Sequence, residues 1–106
     1  MRVLKIDSER KQILSLRVSS WRDFHPLLGD DCRSISTKPI GFENRDQLVT
    51  DDEGRLNSSG HGFMIKGWHK YVPGNAILHG LDDQDKEADV KTKIEELQDR
   101  VIWLTD

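Results

Sequence analysis

The sequence is poor in cysteine and has no long apolar run. Its 106 residues include a single cysteine, Cys32, so no intramolecular disulfide can form, as is usual in a reducing compartment. No apolar run approaches the roughly 20 residues that span a bilayer. Met1 is followed by the charged Arg2, Lys5 and Asp7 and not by the apolar core of a signal peptide. These absences predict a cytoplasmic protein without a membrane partner.

A strong net charge is also lacking. The formal charge is −3, and no concentrated basic patch of the kind found in polyanion-binding proteins stands out. Residues 1–50 carry nine Lys or Arg against seven Asp or Glu, and residues 51–106 carry seven against twelve. The acidic excess therefore belongs to the C-terminal half.

The composition fits one folded domain. Hydrophobic residues make up 35% of the chain and charged residues 33%, but clustered aliphatic runs and three tryptophans argue against disorder. A length of 106 residues leaves no room for a second independent core. We therefore expect residues 1–106 to form a single domain.

The N-terminal half predicts strands and one short helix. Val3–Ile6 and Ile13–Val18 flank a polar turn and predict a hairpin. Ser20 followed by Asp23 predicts a capping box, at the start of a short helix that stops by Gly29 because Pro26 removes a helical hydrogen bond. The alternation in Cys32–Thr37 predicts a further strand.

The C-terminal half predicts a meander and a longer helix. In residues 48–82, three apolar runs are each closed by glycine, proline or acidic turn residues, as in a small β-meander. Apolar residues from Val90 to Val101 recur at helical spacing, with Asp89 as the expected N-cap. The apolar run Val101–Leu104 fits either a longer helix or a closing strand, and a strand or an extended docking segment is favoured. The predicted fold class is α+β: one antiparallel or mixed sheet packed by an amphipathic C-terminal helix and a short helix.

Catalytic and metal-binding patterns are scarce. The acidic stretch Asp82–Asp89 would place Val90 where a calcium loop needs glycine, which favours a solvated loop. Asp51–Glu53 offers three carboxylates for Mg²⁺ or acid–base chemistry, but Gly54 favours a hairpin turn. The four histidines lack metal-ligand spacing, and a lone cysteine such as Cys32 is most often a small buried apolar group. The sequence predicts no catalytic residue, metal or cofactor.

One cluster mixes cations with aromatic rings. Its members are Lys66, Trp68, His69, Lys70 and Tyr71. Such a mixture can stack on bases and neutralise phosphates, or it can form a protein-binding hot spot, where Trp and Tyr are enriched. The simplest alternative is that Trp68 and Tyr71 only cover the edge of a sheet. These five residues are the candidate binding site.

Short segments spread over most of the chain form a recognisable series: Val3–Asp7, Leu28-Gly29, Asp51–Leu56, Phe63, Gly67-Trp68, Pro73-Gly74, Ala76–Gly80 and Arg100–Leu104. In these segments the chain resembles a family of short bacterial proteins carried by phages and plasmids and known only as a domain of unknown function. Residues 57–62 and Lys70 depart from the family's pattern. The resemblance implies a mobile-element context and no catalytic residues.

Three hypotheses follow. The first is a non-enzymatic accessory protein that binds a host protein as an inhibitor or modulator. The second is a nucleic-acid-binding module that uses the cluster from Lys66 to Tyr71. The third is a small enzyme that uses Asp51, Asp52 or Glu53 with a metal. An exposed sheet edge would also let two copies pair, so a homodimer remains open.

Overall fold

The computed structural model describes residues 1–105, which form two antiparallel sheets and three short α-helices. The strands are β1 Arg2–Asp7, β2 Gln12–Arg17, β3 Ile35–Pro39, β4 Gln47–Asp51, β5 His61–Ile65, β6 Val72–Pro73, β7 Ala76–Leu81, β8 Glu87–Ala88 and β9 Val101–Thr105. The helices are α1 Phe24–Leu28, preceded by a 3₁₀ turn over Trp21–Asp23, α2 Gly54–Asn57 and α3 Ile94–Arg100. The chain is thus an α+β protein in which strands predominate.

The larger sheet has the strand order β2-β1-β7-β4-β3, and β8 pairs with the end of β7. Strand β7 lies at its centre, with Leu78 opposite both Leu4 and Leu48. All three leucines are fully buried, as expected where strands pair on both sides and both faces are covered. Every neighbouring pair runs antiparallel.

The smaller sheet has the order β6-β5-β9, again antiparallel. Strand β5 is central and pairs Phe63 with Val72 on one side and with Trp103 on the other. Strand β9 follows directly on α3, so the C-terminal segment supplies an edge of this sheet.

The main core lies between the two sheets and α3. Phe63 and Ile65 of the smaller sheet pack with Leu4 and Leu78 of the larger one, and Leu97 of α3 closes the cluster. A second cluster lies on the other face of the larger sheet, where Phe24 and Leu28 of α1 cover Val3, Val49 and Ile77. The larger sheet is therefore the middle layer of three.

Several N-terminal predictions are confirmed. The β1–β2 hairpin forms, with Val3 opposite Leu16. Ser20 caps the 3₁₀ turn: its hydroxyl accepts from the Arg22 N–H, and the Asp23 carboxylate accepts from the Ser20 N–H, a complete capping box. The helix ends at Leu28, directly before Gly29, as predicted.

The predicted meander is wrong. Strands β4, β5 and β7 are not sequential neighbours, because β4 and β7 pair in the larger sheet while β5 belongs to the smaller one. The segment Asp51–Glu53 leads into α2 rather than closing a hairpin between β4 and β5. Apolar alternation marks strands but does not say which strands pair, since pairing depends on contacts distant in sequence.

Two boundaries also differ from the prediction. The strand expected at Cys32–Thr37 begins only at Ile35, and Cys32 lies in the turn before it. The C-terminal helix begins at Ile94, not at the expected cap Asp89. Trp21 lies in the 3₁₀ turn before α1 and is 44% exposed. The closing strand from Val101 is confirmed.

The late start of α3 has a physical cause. The buried carboxylate of Asp46 accepts hydrogen bonds from the N–H groups of Lys91 and Thr92 and from the Thr92 hydroxyl. The Asp89 carboxylate instead accepts from the Arg2 N–H at 2.8 Å. Because these groups fix residues 89–92 in an extended path along β1, the helix cannot form until that path ends.

Candidate functional site

The predicted cluster from Lys66 to Tyr71 forms the loop between β5 and β6 in the smaller sheet. Lys66, His69 and Lys70 are exposed, and His69 adopts a positive φ of 54°. Trp68 is half-buried against the main core, and the Lys70 ammonium lies 5.9 Å from the centre of its indole ring. The structure therefore brings the cations together at the surface, while Trp68 also anchors the loop.

Tyr71 lies across the outer face of the smaller sheet. Its ring covers Gly62 so closely that a Cβ on this glycine would overlap the tyrosine hydroxyl. Gly62 is thus required to let the ring cross β5. Tyr71 joins the loop to the sheet surface.

That outer face is apolar and uncovered. Alternate residues of β5 and β9 point away from the main core. On this side of the sheet, Met64 lies opposite Ile102, and Leu104 lies opposite Gly62. Ile102 is 41% exposed, and Met64, Leu104 and Tyr71 are half-buried. None of the four belongs to either core cluster. We call Met64, Tyr71, Ile102 and Leu104 the outer face.

One part of the chain that carries the outer face, the stretch containing β5 and β6, lacks acidic side chains. Residues 54–81 contain no Asp or Glu, although the whole chain carries 19. The Lys66 N–H donates to the Arg100 carbonyl at 2.8 Å, but the Arg100 guanidinium lies over Phe42 beside the main core, 4.7 Å from the ring centre. The exposed cations that border the outer face are therefore those of the β5–β6 loop, on a protein whose net charge is −3.

The sequence pattern did not single out Met64, Ile102 or Leu104. Two signals in the sequence point to them in retrospect. Apolar side chains occupy both faces of β5 and β9, and the 28-residue stretch from Gly54 to Leu81 is free of acids. Only the pairing of β5 with β9 brings these residues onto one surface.

The carboxylates of Asp51–Glu53 serve local structure. Asp52 accepts hydrogen bonds from the hydroxyls of Ser34 and Ser36, which hold the pKa of its carboxyl below the usual range. Asp51 accepts from the Glu53 N–H at 2.9 Å and from the Asn57 side-chain amide at 2.9 Å. These bonds tie β3 and α2 to the end of β4.

The acidic stretch Asp82–Asp89 forms the tight β7–β8 connection. The Asp82 carboxylate accepts from the N–H groups of Lys86 and Gln84, at 3.0 and 2.8 Å, and these bonds lower the pKa of its carboxyl. Asp85 forms an exposed ion pair with Arg45. The carboxylate of Asp82 thus closes a turn.

Cys32 is not an activated nucleophile. Burial, followed by the nearby Asp51 carboxylate, raises the pKa of its thiol to about 11. A nucleophilic cysteine needs the opposite shift, because the thiolate is the reactive species.

A polar cleft of about 370 Å³ opens between the β1–β2 turn and the C-terminal end of α1. Asp7 and Ser8 are buried in its wall at 5% and 1% exposure. The Asp7 carboxylate accepts from the Arg10 N–H at 3.1 Å, and the Ser8 hydroxyl donates to the Gly74 carbonyl at 2.6 Å. The buried polar groups therefore hold two turns together.

Comparisons with protein-family models, with curated proteins and with solved structures find no match to this chain. Among residues 1–105, no three His, Cys, Asp or Glu side chains are arranged to hold a metal ion. The helices of this same part of the chain are all too short or too polar to cross a membrane.

Proposed function

We propose that this chain is a non-enzymatic accessory protein of a mobile element and acts by binding a host protein. The single observation that carries the binding proposal is the uncovered outer face of Met64, Tyr71, Ile102 and Leu104. Exposed apolar residues grouped on one surface and rimmed by polar groups are typical of protein interaction sites. The mobile-element context rests on the family resemblance of the sequence.

The charged side chains beside the outer face predict the chemistry of the partner. Lys66, His69 and Lys70 are exposed in the loop beside the outer face, and the chain from Gly54 to Leu81 contains no acid. Complementary charge steers association and excludes partners of like charge. The proposed partner therefore presents an apolar patch with Asp and Glu on the side that meets this loop.

The same cations fit the nucleic-acid alternative, but two features favour protein. Trp68 is half-buried, and Lys70 occupies the space over its ring, so a base would have to displace the ammonium in order to stack there. Met64, Ile102 and Leu104 would contribute nothing to phosphate binding. They suit the desolvated centre of a protein interface.

The test is quantitative capture from host lysate with matched variants. Ile102→Asp places a charge in the outer face. Trp21→Asp places a charge at a surface position away from the outer face, on the opposite side of the larger sheet. The two side chains are similarly exposed, at 41% and 44%. We expect one host protein whose capture falls at least about tenfold with Ile102→Asp and is unchanged with Trp21→Asp, since a buried interfacial charge costs 2 kcal/mol or more.

Charge reversal at the rim separates the two classes of partner. Lys66→Glu with Lys70→Glu should weaken capture of an acidic host protein and should make the remaining binding less sensitive to salt. Fluorescence anisotropy with a labelled single-stranded oligonucleotide at low salt provides the second arm. Tight oligonucleotide binding that these substitutions abolish would support the nucleic-acid alternative and contradict the proposal.

A further inference from the structure

Within residues 1–105, strand β9 is an edge of the smaller sheet, and its outward backbone groups, apart from the Val101 N–H, have no hydrogen-bond partner. Its one strand neighbour is β5. The Lys66 N–H donates to the Arg100 carbonyl, so residues 102 and 104 exchange bonds with β5. Val101, Trp103 and Thr105 therefore direct their backbone groups away from the sheet. The Val101 N–H is used by the Leu97 carbonyl.

The other sheet edges are protected, and β9 is not. Strand β3 carries Lys38 and Pro39, and Pro39 has no N–H to offer a new strand. Strand β2 ends in the exposed Arg17, and β6 and β8 are each only two residues long. Strand β9 is five residues, Val-Ile-Trp-Leu-Thr, without a charge or a proline. Free edges of this kind are templates for strand addition.

We propose that β9 pairs antiparallel with β9 of a second copy of this chain, with Trp103 on the twofold axis. In this register Trp103 exchanges two hydrogen bonds with its own equivalent. The Thr105 N–H donates to the Val101 carbonyl of the other copy, twice by symmetry. The bonds use the free outward groups of β9 and leave its pairing with β5 intact.

The side chains favour this occupant over an unrelated strand. Ile102 of one copy lies beside Leu104 of the other on the outer face, so pairing joins two apolar strips into one. No charged residue lies within the paired stretch of either copy, and like charges are therefore never opposed. The smaller sheets of the two copies become one six-stranded sheet. Its outer face offers a host protein twice the area of the outer face of a single copy.

Sedimentation of the purified chain over a range of concentrations tests the pairing. We expect a reversible shift from 12.2 kDa to twice this mass. Thr105→Pro removes two of the four interchain bonds at an exposed position whose N–H points outward, and should weaken the dimer at least about tenfold. Thr37→Pro is the matched control, because Thr37 is exposed and its N–H also points outward from an edge strand, β3.

Hydrogen exchange supplies a second readout. The Trp103 and Thr105 amides should exchange more slowly as the concentration rises, whereas the Thr37 amide should not change. A monomer at all concentrations would overturn the proposal. A dimer that Thr105→Pro leaves intact, or that Thr37→Pro disrupts equally, would also overturn it. These outcomes do not depend on whether a host protein binds the outer face.

Discussion

Removing the Asp46 carboxylate should be among the most destabilising single changes in the chain. Asp46 is 1% exposed, and its carboxylate accepts from the Lys91 N–H at 3.0 Å and from the Thr92 N–H and hydroxyl, both at 2.7 Å. Asp46→Ala leaves these three donors without their acceptor. Thr92 is itself 1% exposed, so water cannot readily replace the carboxylate at its two donors.

The size of the expected destabilisation follows from the number of donors that lose their acceptor. A buried polar group without a partner costs about 1–3 kcal/mol, and more when the lost partner was charged. The two donors of Thr92 alone therefore predict a loss of about 2–6 kcal/mol in the free energy of unfolding. This is a large share of the 5–15 kcal/mol typical of a domain. Thr92→Val removes only the hydroxyl and should cost about 1–2 kcal/mol.

Urea unfolding followed by tryptophan fluorescence measures these differences. Asp85→Ala is the control, because Asp85 and its partner Arg45 are 71% and 56% exposed, and an exposed ion pair contributes about 0–1 kcal/mol. We expect the order Asp46→Ala, Thr92→Val, Asp85→Ala from most to least destabilised. A loss below about 1 kcal/mol for Asp46→Ala would refute the assignment of Asp46 as the anchor of residues 91–92.

Three further predictions concern the core, the thiol and acid stability. Leu97 is fully buried and Leu56 is 80% exposed, so Leu97→Ala should cost about 2–5 kcal/mol in urea unfolding and Leu56→Ala less than about 0.5 kcal/mol; similar losses would contradict the core assignment. With a thiol pKa raised from 9.0 to about 11, Cys32 should react with iodoacetamide about 100-fold more slowly at pH 8 than an ordinary thiol, and a normal rate would contradict the burial of its sulfur. The Arg2 N–H holds the pKa of the Asp89 carboxyl low, so the stabilisation from Asp89 is present above its unfolded pKa of about 3.9 and is lost as the pH falls through the folded value. Asp89→Asn should therefore reduce the loss of stability on acidification below about pH 4, and an unchanged pH profile would exclude this linkage.

The sequence predicted the local structures that depend on neighbouring residues. The capping box needs only Ser20 and Asp23, and the β1–β2 hairpin needs two alternating runs around a polar turn. It could not predict that α3 starts at Ile94. The contacts that delay the helix join Asp46 to Lys91 and Thr92, which lie 45 and 46 positions further along the chain. A Ser or Asp before an apolar run signals a helix only when nothing distant holds the backbone extended.

The candidate site was likewise predictable only where its residues are neighbours in the sequence. The sequence identified the cations and aromatic rings from Lys66 to Tyr71, because they are adjacent in the chain. The apolar outer face was missed, since Met64 and Ile102 become neighbours only when β5 pairs with β9. The aromatic rings also proved unequal: Trp68 contributes to the core, whereas Tyr71 lies over Gly62 on the surface.

Hydrogen exchange of the chain, alone and in complex with the captured host protein, shows whether the smaller sheet is the binding surface. We expect slower exchange in residues 62–71 and 101–105, which carry the outer face and its loop, and unchanged exchange in the acidic β7–β8 connection. Protection confined to residues 82–89, or to the polar cleft around Asp7 and Ser8, would contradict the assignment of the smaller sheet as the binding surface.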